Sequence, residues 1–336
     1  MAAKLKKTLT VSRIVEGIST EQNETRPQAT PAQLGLLIGC CAAIVTLVVR
    51  RLTRSQTSDF VPVWLGARAL LQGHNPYQLI DSMWQQPLLY PLSAVILSIP
   101  IAWLPLAVAT PIFVGVGAGL FGYAVVNTLP VRPARVVFFS GSFISAVAVA
   151  QWSPLLTASA LIPTLGWILA CKPTTAIWLF AWRPKYSILT AVLGLLICIA
   201  ASPRWMLDWW RIAHGAAYPT VLALLPGGPI LLAAWWSWRD PDARLIGTLA
   251  VVPHSTFVYE ALPVMLIART WREGWTLAIG SWIAWLGHHA GEPYTSQAAA
   301  IRSGGSWLLY AVYLPALIMV LRRPSGERPT SPSSVA

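Results

Sequence analysis

The chain has 336 residues, 55% of them hydrophobic and only 11% charged, where a soluble domain would carry roughly 25% charged residues. With a mean hydropathy of +0.58, that balance excludes an ordinary soluble globular protein. The formal net charge of +12 is dispersed in short Lys/Arg clusters between apolar runs. It reads as a set of topology determinants, not as a nucleic-acid-binding surface.

In chain order, residues 1–30 carry Lys4, Lys6, Lys7 and Arg13 with no apolar core region. They are expected to form a mobile cytoplasmic tail, not a cleavable signal peptide. The first membrane span is expected over roughly Gln33–Arg50, starting inside. Arg50, Arg51 and Arg54 beyond it run against that orientation. Residues 51–87 form the longest polar interval, expected as the first extracytoplasmic loop. Within it Phe60, Trp64, Ala67 and Leu71 recur at helical spacing, with Arg68 and Gln72 elsewhere on the wheel. That pattern predicts a short amphipathic helix on the membrane surface, ended by Gly73 and turned by Asn75-Pro76.

Later apolar segments lie near 88–126, 136–152, 155–182, 186–203, 221–238, 245–268, 275–288 and 305–321. Most are near the ~17–25 residues that cross a bilayer as a helix. The expected fold is an all-α polytopic bundle of roughly 8–10 transmembrane helices over 31–323, followed by a disordered tail over 324–336. With 88–126 as a two-span hairpin and the other segments crossing once each, Arg132, Arg135, Lys185, Arg239 and Arg244 fall outside, against the positive-inside tendency. The conflict disappears if 88–126 crosses only once and 245–268 dips in and returns. Pro91, Pro100, Pro105, Pro111, Pro253 and Pro263 supply the necessary breaks. No internal repeat is visible, which weighs against most transporter architectures. Cys40, Cys41, Cys171 and Cys198 suit neither a zinc site nor a disulfide framework.

Asp59 is the most informative residue, a lone carboxylate just past a membrane span. It opens the run Asp59-Phe60 … Trp64 … Ala67-Arg68-Ala69-Leu70-Leu71-Gln72-Gly73-His74-Asn75-Pro76-Tyr77. This run resembles the first extracytoplasmic loop of the GT-C membrane glycosyltransferases, and most of all glycosyltransferase family 87. The resemblance implies a polyprenyl-phosphate sugar donor, with mannose the expected sugar, and a glycolipid or glycan acceptor. It also matches Asp59 to the catalytic acid of that loop. There it would take the acceptor hydroxyl's proton as the oxygen attacks the anomeric carbon with inversion. The structural alternative is that Asp59 or Ser58 only caps the helix, with Pro62 in its first turn.

A leaving phosphate needs cations aimed at its developing charge. Lys172, in Cys171-Lys172-Pro173, lies midway along an apolar segment, and its Lys-Pro resembles the family. The alternative is a snorkelling lysine. His254, in Pro253-His254-Ser255, resembles a family Pro-His-Ser element, although a lone histidine in an apolar run is often structural. Gln151 follows Ala150 where these proteins usually carry glycine, which narrows the backbone's freedom. Arg68 stands in reserve as a further phosphate ligand.

His74, Asn75, Tyr77, Tyr259 and Glu260 are expected at the substrate rim, with turn chemistry the competing role for Asn75. His288, His289 and Glu292 have spacing that would hold a metal on a helix. Gly291 and Pro293 favour an interfacial loop there instead. No Gly-rich phosphate loop and no nucleotide fingerprint is present, so a lipid-linked donor and metal-independent chemistry without a cofactor are expected. A transporter or flippase, or a family member that binds without turnover, are the competing functions. The resemblance places the protein in the plasma membrane with an extracytoplasmic active site.

Overall fold

The computed structural model describes residues 29–54, 58–78, 87–129, 132–184, 187–215 and 220–323. The expected N-terminal tail up to residue 28, the C-terminal tail over 324–336 and Lys185 lie outside these residues. Every regular element among the described residues is helical, and the molecule is an all-α membrane protein.

The first helix, α1 (Pro31–Thr53), begins where its sequence supplies a reciprocal cap. The Thr30 hydroxyl accepts from the Gln33 amide, and the Gln33 side chain accepts from the Thr30 amide. Two orphan N–H groups are thereby satisfied. Its main partner is α4 (Leu106–Thr128). Gly35 and Gly39 face Gly119 and Gly115 so closely that a Cβ on Gly39 would sit 2.6 Å from the Gly115 carbonyl oxygen. Small residues four apart on both helices let the backbones touch, which is how helices associate where lipid removes the hydrophobic drive. The opposite face of α1, with Leu36, Leu37, Ile44 and Val48, points outward.

Between them lie α2 (Phe60–Leu71) and α3 (Leu92–Ala102). The α2 helix forms where its periodicity predicts, but it does not lie on the membrane surface. Phe60, Val61, Pro62, Val63, Trp64, Gly66, Ala67 and Ala69 are all buried, so the helix is packed around most of its circumference. Arg68 stays exposed, its guanidinium 4.9 Å from the Trp64 ring centre. Periodicity identified the helix correctly but could not say whether its apolar face meets lipid or protein. In this case it meets protein.

After a 3₁₀ stretch over Arg132–Phe139 come α5 (Gly141–Ala148) and α6 (Ser153–Leu161), bent by 120° at the Val149–Trp152 break. Another 3₁₀ stretch, Pro163–Cys171, leads into α7 (Pro173–Trp182). Next are α8 (Ser187–Ala201) and α9 (Trp205–Gly215), whose apolar parts are bent by 105°. The segment Gly228–Ser237 is again 3₁₀ and precedes α10 (Pro241–Val251). Thr220 pairs with His254 as an isolated antiparallel bridge, and Val258–Ile267 returns as 3₁₀ helix. The chain closes with α11 (Trp271–Ala290), α12 (Gln297–Leu308), a π turn over Leu309–Tyr313 and α13 (Leu314–Leu321).

By length and composition, three helical spans among the described residues can cross a bilayer: Pro31–Thr53, Leu106–Thr128 and Ala298–Leu321. Counting each bent pair as one span raises this to five. That is fewer than the eight to ten expected, because the later apolar segments are broken. A ten-residue 3₁₀ segment rises about 20 Å, short of the ~30 Å hydrocarbon core. The segment 88–126 contains one long helix and one of 11 residues, and 241–267 is interrupted at the Thr220–His254 bridge.

Two features orient the molecule. An aromatic column runs inward from α2: Phe60 stacks on Phe113 at 4.4 Å, Phe113 meets Trp152 at 4.8 Å, and Trp152 stacks on Tyr90 at 5.5 Å. At the start of α11, Arg269 pairs with Asp240 at 3.8 Å, and Arg323 reaches Asp242 at 2.6 Å and the Ile267 carbonyl at 2.7 Å. This ion-pair cluster clamps three chain segments at one end of a 20-residue helix, which is about 30 Å long.

Candidate functional site

At the other end of α11 a cavity of about 420 Å³ opens beside Asp59. Ser58 and Asp59 enter from the start of α2, Ser145 from α5, and Val149 and Gln151 from the α5–α6 break. Phe257, Val258 and Tyr259 come from the segment following the His254 bridge. Trp285, His288, His289 and Glu292 come from the end of α11. Most of these contributions are made where a helix starts, bends or stops.

Asp59 occupies the N-cap position of α2, yet its side chain makes no capping hydrogen bond. Capping therefore does not account for it. Instead Tyr90, held by Trp152, donates to Asp59 Oδ2 at 2.6 Å. The other oxygen, Oδ1, has no hydrogen-bond partner among the described residues. One oxygen is thus anchored and the other is available.

Behind this wall is a buried ion pair. Lys172, at the Pro163–Cys171/α7 junction, donates to Glu260 Oε1. Glu260 also accepts from Ser255 Oγ at 3.2 Å and Thr175 Oγ1 at 3.4 Å. Glu260 is 1% exposed, and three donors meet the needs of a carboxylate at that depth. The carboxylate of Asp59 is near enough for its charge to act on Lys172 and on Tyr259. Lys172 and Glu260 lie outside the cavity lining, so they sit behind the rim rather than on it.

His254 is also outside the lining and is buried at 3% exposure. Its Nδ1 lies 2.8 Å from the Val252 carbonyl and its ring packs edge-on against Trp178 at 4.6 Å. A carbonyl needs a donor, so the neutral ring carries its proton on Nδ1. Nε2 is then a buried acceptor, and it has no partner among the described residues. Gln151 does line the cavity, with its own Oε1 buried and unpartnered among the described residues. Its neighbour Ala150 takes φ of 54°, the left-handed conformation natural to glycine.

His74, Asn75 and Tyr77 line a different, smaller cavity of about 260 Å³, closed by Ala201, Ser202 and Trp205. Asn75 accepts from the Tyr77 amide at 3.0 Å and donates to Asp208 at 2.8 Å, so its turn is tied to α9. Tyr77 donates to the Tyr90 carbonyl at 3.1 Å, linking the two cavities through one wall.

The histidine pair was expected in a loop. α11 continues through Ala290, because Gly291 and Pro293 follow the last turn instead of interrupting it. His288 and His289 therefore face the Asp59 cavity from a helix end. Tyr294 ties His288 down through its carbonyl and also contacts Ser303 at 2.9 Å. No cluster of three metal-ligating side chains occurs among the described residues. Comparison with known proteins finds no matching family model, curated protein or solved structure.

Proposed function

We propose that this chain is an integral-membrane glycosyltransferase with a GT-C-like bundle. It moves a sugar, with mannose first in line, from a polyprenyl-phosphate donor to a glycolipid or glycan acceptor on the extracytoplasmic face. The observation that carries the reading is Asp59, fixed through Oδ2 by Tyr90 while Oδ1 has no partner among the described residues beside a cavity of substrate size. In the reaction the acceptor oxygen forms a bond to the anomeric carbon from the face opposite the phosphate. The anomeric C–O bond to phosphate breaks, its electron pair leaves on the polyprenyl phosphate, and the acceptor's proton passes to Asp59 Oδ1.

The other roles follow the geometry. Gln151, on the cavity wall with an unsatisfied amide oxygen, is assigned to a sugar hydroxyl. Lys172, which feels both Glu260 and Asp59, is assigned to the phosphate side. With its neutral ring protonated on Nδ1, His254 suits a hydroxyl donor better than a phosphate. Arg269 and Arg323 stand at the end of α11 away from the cavity, which supports a cytoplasmic assignment for that end and an extracytoplasmic one for the cavity.

The test is transfer of labelled sugar from a polyprenyl-phosphate donor by purified protein in lipid nanodiscs, in excess EDTA. The reading predicts transfer with anomeric inversion and no requirement for Mg²⁺ or Mn²⁺. Movement of intact donor across a proteoliposome bilayer without bond breakage would assign the chain to transport instead.

A further inference from the structure

The end of α11 is the part of the cavity that the proposed chemistry leaves unexplained. We infer that this wall is a subsite for the neutral saccharide of the acceptor, and that the donor phosphate stays outside the cavity. The inference rests on the glycosyltransferase reading for the word acceptor, but the binding claim stands on the cavity itself.

Charge comes first. Among the described residues no lysine or arginine lines this cavity, whereas two carboxylates, Asp59 and Glu292, do. A phosphate entering it would meet two like charges without a fixed counter-cation, which costs several-fold more at reduced dielectric than in water. The C-terminal end of α11 adds the negative pole of a helix dipole on the same side. A neutral polyol meets none of these penalties and brings the hydroxyl donors that carboxylates and carbonyls accept.

Unsatisfied hydrogen bonding comes second. Gln151 is 6% exposed and its Oε1 has no partner among the described residues. Leaving a buried amide oxygen unbonded costs on the order of 1–3 kcal/mol. A sugar hydroxyl, which both donates and accepts, would satisfy this side chain whichever way the amide is turned.

Preorganisation comes third. The Trp285 ring is held between His289 at 4.3 Å and Trp282 at 5.9 Å, and it lines the cavity partly exposed. His289 is itself fixed through Nδ1 to the Trp285 carbonyl at 2.8 Å, with Nε2 turned to Glu292 at 4.0 Å. A rigid aromatic face flanked by planar polar groups fits a pyranose ring, whose C–H face stacks while its edge is hydrogen-bonded.

The test is binding, measured without turnover. Full-length protein in detergent is titrated with neutral disaccharides (α- and β-linked mannosides, glucosides and galactosides) and with mannose 1-phosphate. Calorimetry and saturation-transfer NMR provide the readout. The inference predicts saturable binding of at least one neutral disaccharide, and binding of mannose 1-phosphate at least tenfold weaker. Glu292→Gln and His289→Ala, both at exposed positions, should each weaken the disaccharide about tenfold, and Trp285→Leu should abolish its NMR signal. No saturable binding by any neutral disaccharide overturns the inference. So does equal binding of the phosphate, or unchanged affinity in both exposed-site variants. Saccharide binding in a protein that transfers no sugar would remove the proposed function and leave the subsite standing.

Discussion

Tyr90 donates a 2.6 Å hydrogen bond to Asp59 across 31 residues of sequence. It fixes one oxygen of a carboxylate that the helix it precedes does not use as a cap. Hydrogen bonds to charged groups contribute about 1.5–3 kcal/mol, so the tyrosine sets the aim of the proposed base. Tyr90→Phe keeps the ring that stacks on Trp152 and removes only the hydroxyl. Initial-rate kinetics should show turnover falling by a factor of roughly 10–100 with little change in donor KM. An unchanged turnover number would mean that Asp59 does not depend on this anchor.

The Lys172–Glu260 pair makes a prediction about stability that separates it from chemistry. Glu260→Gln leaves an ammonium with 16% side-chain exposure without its counter-charge. Breaking a buried pair on one side typically costs about 3–5 kcal/mol. Thermal unfolding in detergent should show a large loss for Glu260→Gln and for Glu260→Leu. The double variant Lys172→Met/Glu260→Leu should recover most of that loss while transfer stays impaired. If Glu260→Gln melts with the wild type, the pair is not desolvated.

Close contact of α1 and α4 is equally open to test. The Cβ of Gly39→Val would meet the Gly115 carbonyl oxygen, a backbone atom that cannot rotate away. The helices must separate, at a cost of about 1–3 kcal/mol for overpacking. Leu36→Val, on the outward face of the same helix, should leave the melting curve in place. Equal effects of the two substitutions would show that the helices do not meet through these glycines.

At Ala150 the backbone holds φ of 54° with a side chain that disfavours it. Left-handed conformation costs a non-glycine residue roughly 1–2 kcal/mol. Glycine gives back part of that gain through the greater freedom of its unfolded chain, about 0.5–1 kcal/mol. Ala150→Gly should therefore stabilise the protein by up to about 1 kcal/mol, and Ala150→Val should destabilise it. A lower melting temperature for the glycine variant would contradict the conformation.

The helical membrane character, the first span and the α2 helix were legible from hydropathy and spacing, since those depend on near neighbours in sequence. Prolines at 100, 105 and 263 marked segments that do break up, though not into how many crossings. The partners of Asp59 and Lys172 were not legible. Tyr90 is one of nine tyrosines, and Glu260 is 88 residues from Lys172. Pairing over such separations is set by tertiary packing that no local pattern encodes. The first-loop residues His74, Asn75 and Tyr77 were grouped with Asp59 by their nearness in sequence. The intervening α2 helix carries them about 18 Å along its axis to a cavity of their own. For His288, His289 and Glu292, the breakers Gly291 and Pro293 flank Glu292 and favour a loop on sequence alone. The same residues are common just beyond a helix end, and reading them as a terminus would have placed both histidines on the cavity wall.

The account depends most on Asp59, and Asp59→Asn tests it most directly. The amide preserves size and can still pair with Tyr90, but it cannot take a proton. Transfer of labelled sugar from a polyprenyl-phosphate donor, measured in nanodiscs beside a melting curve for each protein, decides the matter. The account predicts wild-type transfer, an unchanged melting temperature for Asp59→Asn, and turnover lower by a factor of order 100 or more. A well-folded Asp59→Asn protein that keeps most of the wild-type turnover would contradict it.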